Sequence, residues 1–352
     1  MNQIQFGSNG ELYVNVGSNT NGGVPSRLSG SGKMKENYFS ASTLVIDLSH
    51  PSFDGFIEYD APDDGSPINF KGVSVFASGL RNPFGLTMHS NGNLYATDNG
   101  PNSGYGKMKI GCRPSDLLID QQREDKLVHV MKDKYYGHPN AKRATYHNDT
   151  RQCFWHNPTE PTTNDYQAPI GVLLSSAVGM LEYKADHFDG QLRGNLIHAK
   201  YKGGLLRTVL SSDGSTANPL TIPGLYLLGR DGLDVAQAPN GNLVEARYLS
   251  SSIWISRPIE TNTAVIRVGS IYPIRGGVAG GNALHVYGSN FGTTATVTVG
   301  GSDCPIIGVV TNTYMQCTLP GRPQGLYDVV VMSNFGTYTF QKGYRYISGI
   351  KN

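Results

Sequence analysis

The 352-residue sequence predicts an all-β chain, an incomplete propeller-like array of hairpins followed by a smaller β-sandwich, on three observations. Strand, Asn-Gly turn and strand recur along the first two thirds. Glycine, tyrosine and proline number 44, 20 and 19, while only 16% of residues are charged, a composition that suits many short strands joined by tight turns. Near the C-terminus the pattern changes to alternating strands separated by glycine pairs.

The first unit is Phe6-Gly7-Ser8-Asn9-Gly10-Glu11-Leu12-Tyr13, the second Met88 to Tyr95 around Asn91-Gly92, and the third Gln237 to Val244 around Asn240-Gly241. Asn-Gly readily adopts the positive φ angles of a type I′ turn, so each unit reads as a two-residue hairpin. A degenerate copy runs from Phe188 to Ile197 and is followed by Gly204-Leu205-Leu206-Arg207-Thr208-Val209-Leu210. Hairpins separated by long polar insertions fit a propeller with decorated loops, and a β-sandwich with similar turns stays open on the repeats alone. Four such units are too few for a six-bladed ring. Residues 121–166, polar and rich in Pro, His and Asn, read as a long ordered loop over the propeller face. Residues 1–255 form the first domain in this reading, 256–269 a linker and 270–347 the sandwich.

The last segment contains Ile271-Tyr272-Pro273, Gly276-Gly277, Gly280-Gly281, Leu284 to Gly288, Asn290-Phe291-Gly292 and Cys317-Thr318-Leu319-Pro320. It resembles the IPT/TIG domain, an immunoglobulin-like sandwich. In the first domain, Gly79-Leu80-Arg81-Asn82-Pro83-Phe84-Gly85 precedes Thr97-Asp98-Asn99-Gly100-Pro101-Asn102. Together the two segments resemble the PQQ-dependent glucose/sorbosone dehydrogenase family, whose fold is a six-bladed-type β-propeller. Tyr135-Tyr136-Gly137-His138-Pro139, Ala168-Pro169-Ile170-Gly171 running into Gly179 to Tyr183, and Leu233-Asp234-Val235-Ala236 match it as well. Here the ring is incomplete, with about four blades.

The resemblance implies an oxidoreductase that takes hydride from an aldose or polyol carbon, with PQQ and Ca2+ as cofactors. It assigns Arg81 to the substrate, Asn82 to the cofactor side and the carbonyls of Gly100 and Pro101 to calcium. Physical chemistry agrees: calcium takes carbonyl oxygens, and a guanidinium beside the sugar stabilises charge developing during hydride transfer. A lysine after the strand Leu196 to Lys200 contacts the quinone in the family, and Lys202 matches it best, with Lys200 next. Arginines that precede the final Asp-Val in bacterial members are replaced here by Asp231-Gly232-Leu233, leaving Arg230, with Arg247 on the following strand as a substitute for the tricarboxylate. The family's general base is a histidine ahead of the strand that starts at Asn2, so the chain as given is expected to lack it and full activity. Of the nine histidines, His138 and His198 come nearest to facing the channel, and both read as structural.

Cys112 and Cys153 flank the polar loop and read as a disulfide pinning it. Cys304 and Cys317 match a pair seen in extracellular IPT domains. With the sequon Asn148-Asp149-Thr150, these point to a secreted or extracellular protein. A net charge of +2 without a basic stripe argues against nucleic acid, and no apolar run reaches the length of a membrane span. The family resemblance implies a sugar or polyol substrate and an unidentified electron acceptor as partners. A rival reading is a propeller without cofactor that works with its IPT domain in extracellular recognition of protein or glycan.

Overall fold

The computed structural model describes residues 3–7, 10–27, 34, 36–58, 67–109, 117–118, 124–138, 166–174, 176–218, 225–228, 231–258 and 265–349. Among them there is no helix, and the chain is all-β. The first sheet is a meander of β1 (Ile4–Phe6), β2 (Leu12–Val16), β3 (Ser42–Ile46) and β4 (Val73–Ser78). The second has the order β10-β9-β6-β5, from β5 (Pro83–Met88), β6 (Leu94–Asp98), β9 (Asp125–Val130) and β10 (Gly171–Leu173). A small ribbon, β7 (Met108–Lys109) with β8 (Leu117–Leu118), lies in the connection after β6. The third sheet is again sequential: β11 (Ala177–Glu182), β12 (Leu196–Lys200), β13 (Gly204–Thr208) and β14 (Leu225–Leu228). Strands β15 (Gly232–Gln237), β16 (Leu243–Arg247) and β17 (Ser252–Ser256) form a fourth. Sequential antiparallel sheets of this kind are the blades of a propeller-like domain.

Four sequence readings change in detail. In the hairpins at Gly92 and Gly241 only the glycine has positive φ, 91° and 87°, and the asparagine does not. Gly92 N donates to His89 O while His89 N donates to Asn93 O, and Gly241 N and Ala238 N repeat the pattern with Ala238 O and Asn242 O. These are three-residue loops, a type I turn closed by a left-handed glycine, rather than type I′ turns. The asparagine side chain decides it: Asn91 Oδ1 accepts from Asn93 N at 2.9 Å and Asn240 Oδ1 from Asn242 N at 3.2 Å. Second, β9 lies inside the stretch read as a long loop, because Leu127, Val128 and Val130 are buried and stabilise that strand through core contacts. Third, the degenerate hairpin is a run of turns between β11 and β12, not a strand pair. Fourth, β18 begins at Arg267, inside the stretch read as linker.

Inner strands of the first unit approach closely through glycine. A Cβ on Gly85 would meet Thr97 Oγ1 at 2.8 Å and Met180 Cβ at 2.9 Å, and one on Gly179 would run into Asp234 Oδ1. Gln3 is hydrogen-bonded to all three of the following sheets: its Oε1 accepts from Leu86 N at 2.8 Å and Met180 N at 3.1 Å, and its Nε2 donates to Asp234 Oδ1 at 2.6 Å.

The sandwich pairs a sheet of β18 (Arg267–Tyr272), β20 (Ala283–Ser289) and β23 (Tyr314–Thr318) with one of β19 (Arg275–Gly277), β21 (Thr296–Val299), β22 (Ser302–Asp303), β24 (Gly325–Ser333) and β25 (Gly336–Ile347). Its core includes Leu284, Val286, Phe291, Met315, Val329, Val331 and Phe340. Cys304 and Cys317 form a disulfide with Cα atoms 5.3 Å apart.

The chain divides into two compact units, Met1–Glu182 with Asn195–Val235 and Ala246–Ser252, and Tyr183–Gly194 with Ala236–Glu245 and Ile253–Asn352. The second unit thus includes the β11–β12 connection. There Asp186 accepts from Tyr338 Oη at 2.9 Å and pairs with Arg193 at 3.2 Å, and the Arg193 guanidinium lies 3.9 Å from the Phe340 ring centroid.

Candidate functional site

Arg81 and Asn82 lie between β4 and β5, on a turn that Gly79 makes possible. Its φ is 81°, and a side chain there would strike the Tyr135 ring. The Tyr135-Tyr136-Gly137-His138 segment braces that turn: Tyr136 N donates to Ser78 O at 2.8 Å and His138 N to Gly79 O at 2.6 Å. Asn21 then ties two loops together. Its Oδ1 accepts from Arg81 Nη2 at 2.8 Å and Asn102 N at 3.0 Å, while its Nδ2 donates to Asn102 O at 2.8 Å. Arg81 Nε is buried and has no hydrogen-bond partner among the described residues. Burial lowers the pKa of this guanidinium, opposed by Asp98, Asp125, Tyr105 and Glu36, and arginine stays charged throughout.

Asn82 N donates to Asp98 Oδ1 at 2.8 Å and Asn82 Nδ2 to Asn99 Oδ1 at 3.1 Å. Asp98 is fully buried, 3.3 Å from Lys126 Nζ. Asp125, at the start of β9, gathers donors from two sheets: Asn99 Nδ2 at 2.7 Å, Gly100 N at 3.1 Å and Ala177 N at 2.6 Å. Burial pushes its carboxyl up to about 6 and Asp98 adds to the rise, while the bonds from Ala177, Gly100 and Asn99 oppose it.

Gly100 and Pro101 are buried, and among the described residues no donor reaches their carbonyl oxygens. Buried carbonyls of this kind, beside two carboxylates, have the chemistry of a hard-cation site. No cluster of three His, Cys, Asp or Glu side chains suited to a metal occurs among the described residues, so such a site would rest on main-chain oxygen.

A second layer stands behind Asn21. Glu36, 4% exposed, accepts from Asn19 N (2.9 Å), Thr20 N (3.0 Å), Thr20 Oγ1 (2.5 Å) and Ser40 Oγ (2.6 Å), and lies 3.0 Å from His138 Nε2. Burial alone would raise this carboxyl, but the hydrogen bond and charge of His138 and the bonds from Ser40 and Thr20 bring it down to about 2. His138 is thus a buried structural partner.

Lys202, with φ 59°, sits exposed in the β12–β13 turn, its Nζ 5.5 Å from the Tyr201 ring centroid. Tyr201 N donates to Ser176 O at 2.9 Å, and its ring lies 5.6 Å from that of Tyr248. Arg247 beside it faces Asp231 at 3.7 Å, and Asp231 also accepts from Ser250 N at 3.0 Å. A chain of contacts therefore runs from Arg81 through Asn82, Asn99, Asp125 and Ala177 to Ser176 and the Lys202 turn. His198 is fully buried in β12, where among the described residues neither ring nitrogen has a well-formed hydrogen bond, and burial lowers it to about 4 against a weak opposing backbone interaction at Ala199. Arg230, Cys112, Cys153 and Asn148 lie outside the described residues.

Sequence reasoning picked out Arg81, Asn82, Gly100 and Pro101, which the structure brings together. It missed Asn21, Glu36 and Asp125. Asp98 and Asn99 stood in the quoted Asp-Asn-Gly-Pro-Asn run, but nothing local marks Asp125 or Asn21, whose partners are far away in the chain.

Residues 2–244 match the glucose/sorbosone dehydrogenase family, more than two thirds of the sequence. The chain belongs to that family. Residues 267–346 match the IPT/TIG domain, so this dehydrogenase-family member carries a C-terminal sandwich of that type. A search of curated proteins finds no match. Among solved structures, the family member is similar to an oxidoreductase described as glucose dehydrogenase from Thermus thermophilus, with 21% identity, 68% of this chain and 57% of that chain covered, and a TM-score of 0.39. It is also similar to the PQQ-bound form of aldose sugar dehydrogenase from Streptomyces coelicolor (14% identity, 90% and 61% covered, TM-score 0.35). A third is the holo form of the pyranose dehydrogenase PQQ domain from Coprinopsis cinerea (14% identity, 72% and 69% covered, TM-score 0.41). The chain thus spans 57% of the Thermus protein and 61% of the Streptomyces one.

Proposed function

We propose that this chain contributes the substrate and calcium side of a PQQ-dependent sugar dehydrogenase acting on an aldose or related polyol. The observation that carries the reading is the buried Arg81 guanidinium, tied through Asn21 to Asn102, the residue that follows Gly100 and Pro101, whose carbonyls no donor among the described residues reaches. Those carbonyls would hold the calcium ion, and Asp125 would keep the turn in place through Gly100 N. Arg81 would orient a sugar oxygen and stabilise negative charge developing on it. Asn82, tied to Asn99, would line the same wall, and Lys202 would meet a carboxylate of the quinone. When bound, PQQ supplies a two-electron acceptor for the hydride. The Cys304–Cys317 disulfide supports an oxidising, extracellular or periplasmic compartment for this reading.

One observation favours the rival, a recognition protein without cofactor: Arg247 is engaged by Asp231, so a cation offered to the tricarboxylate is already paired. Titrating PQQ into the purified protein with and without calcium, followed by quinone absorbance and melting temperature, separates the two. Calcium-dependent binding that raises the melting temperature and is lost in Arg81→Ala is the expected result. A folded protein that binds no PQQ with or without calcium would overturn the dehydrogenase reading.

A further inference from the structure

The outer face of the β18-β20-β23 sheet has a composition the dehydrogenase reading does not use. Tyr272, His285 and Gln316 are cross-strand partners in one row. The row extends to Ile307, whose N donates to Gln316 O at 2.7 Å. Tyr287 and Tyr314 pair on the same face, ring centroids 5.2 Å apart. The His285 ring stacks on Tyr314 at 6.0 Å, and its Nδ1 is 2.8 Å from Tyr314 Oη. Tyr272 is 53% exposed, and His285, Tyr287, Tyr314 and Gln316 are half-buried.

We infer that this face binds a neutral oligosaccharide, at a site independent of the propeller. The ring faces offer apolar surface to the C–H side of a pyranose, and the phenol, imidazole and amide groups beside them can exchange hydrogen bonds with its hydroxyls. The three strands and the edge segment that carries Ile307 together span about 14 Å, enough for a short oligosaccharide laid across the row. Charge selects among ligands. These six residues include no carboxylate, lysine or arginine, and Arg267, at the far end of β18, is paired with Asp189. A nucleic acid would require cations beside the rings, which this row does not offer. A protein partner calls for a continuous apolar centre, whereas here every ring carries a hydrogen-bonding group and Gln316 separates His285 from Ile307. The face is also pre-organised. The Cys304–Cys317 disulfide joins the edge segment to β23 beneath it, and Thr318 N donates to Pro305 O at 2.8 Å, which holds Ile307 beside Gln316.

The test is affinity electrophoresis of the full chain in native gels containing hydroxyethylcellulose, soluble starch or mixed-linkage β-glucan, with polygalacturonate as an anionic control. Retardation by at least one neutral polymer and none by polygalacturonate is expected. Tyr272→Ala, at an exposed position, and Gln316→Ala are each expected to weaken binding about tenfold with unchanged melting temperature. Tyr272→Phe, which keeps the ring, should stay near wild type. Arg81→Ala should bind the polymers normally, so a failed dehydrogenase reading leaves this result readable. No retardation by any neutral polymer, equal retardation by polygalacturonate, or a Tyr272→Ala variant that binds like wild type would overturn the inference.

Discussion

Glu36→Gln tests whether the layer behind Arg81 is held by an ionised carboxylate. Glu36 Oε1 accepts from Thr20 N and Thr20 Oγ1 and faces His138 Nε2, and Oε2 accepts from Asn19 N and Ser40 Oγ. A glutamine must place its NH2 group against one of these donor sets, so at least one buried backbone N–H loses its acceptor. The carboxyl sits at about 2 against an ordinary 4.5. A depressed acid contributes stability that is fully present above its unfolded pKa and is lost as pH falls through the folded one. Over that window the contribution is about 3 kcal/mol at pH 7 and about 1 kcal/mol at pH 3. For a unit of this size, the variant should melt about 6–12 °C lower at pH 7 and only about 2–4 °C lower at pH 3. Scanning calorimetry at both pH values reads the shift. Hydrogen exchange at Asn19 and Thr20 should accelerate, because their N–H groups lose the carboxylate. A melting difference that is the same at both pH values, or below about 2 °C at pH 7, would refute an ionised Glu36 as the anchor of this loop.

His198, buried at about 4 with no well-formed hydrogen bond among the described residues, works in the same pH direction for the opposite chemical reason: a base with a lowered pKa loses stability as pH falls from 6.5 to 4. His198→Leu should remove about 3 kcal/mol of that pH dependence in denaturant titrations while leaving stability at pH 8 little changed. Asp125 runs the other way, because an acid raised to about 6 costs stability as pH rises from 3.8 to 6. Asp125→Asn should flatten that interval by about 3 kcal/mol and, through the freed Gly100 turn, weaken calcium-dependent PQQ binding measured by absorbance. Gly179→Ala should destabilise the first unit by about 2 kcal/mol or more in urea melts, since its Cβ meets Asp234 Oδ1. Replacing both Cys304 and Cys317 by Ser should lower the stability of the sandwich by about 3 kcal/mol, read from denaturant midpoints that become insensitive to reductant.

The all-β class, the Asn-Gly hairpins and the alternating strands of the sandwich are legible in the amino-acid sequence alone, because alternation and Asn-Gly spacing encode local conformation, whereas the segments bearing Arg81, Asn82, Gly100 and Pro101 stand out only through their resemblance to the dehydrogenase family's motifs. Even there the turn type was decided by structure, since the side chains of Asn91 and Asn240 bond the backbone two residues on and keep their own φ negative. The partners of the candidate site are different in kind. Asp125 meets Gly100 and Ala177 across separations of 25 and 52 residues, and His138 meets Glu36 across 102. Arg247, attractive in sequence as a free cation, faces Asp231 once β15 and β16 lie side by side. No local pattern records such meetings: which strands become neighbours follows from how sheets pack, and only the tertiary fold places a particular carboxylate beside the donors it holds.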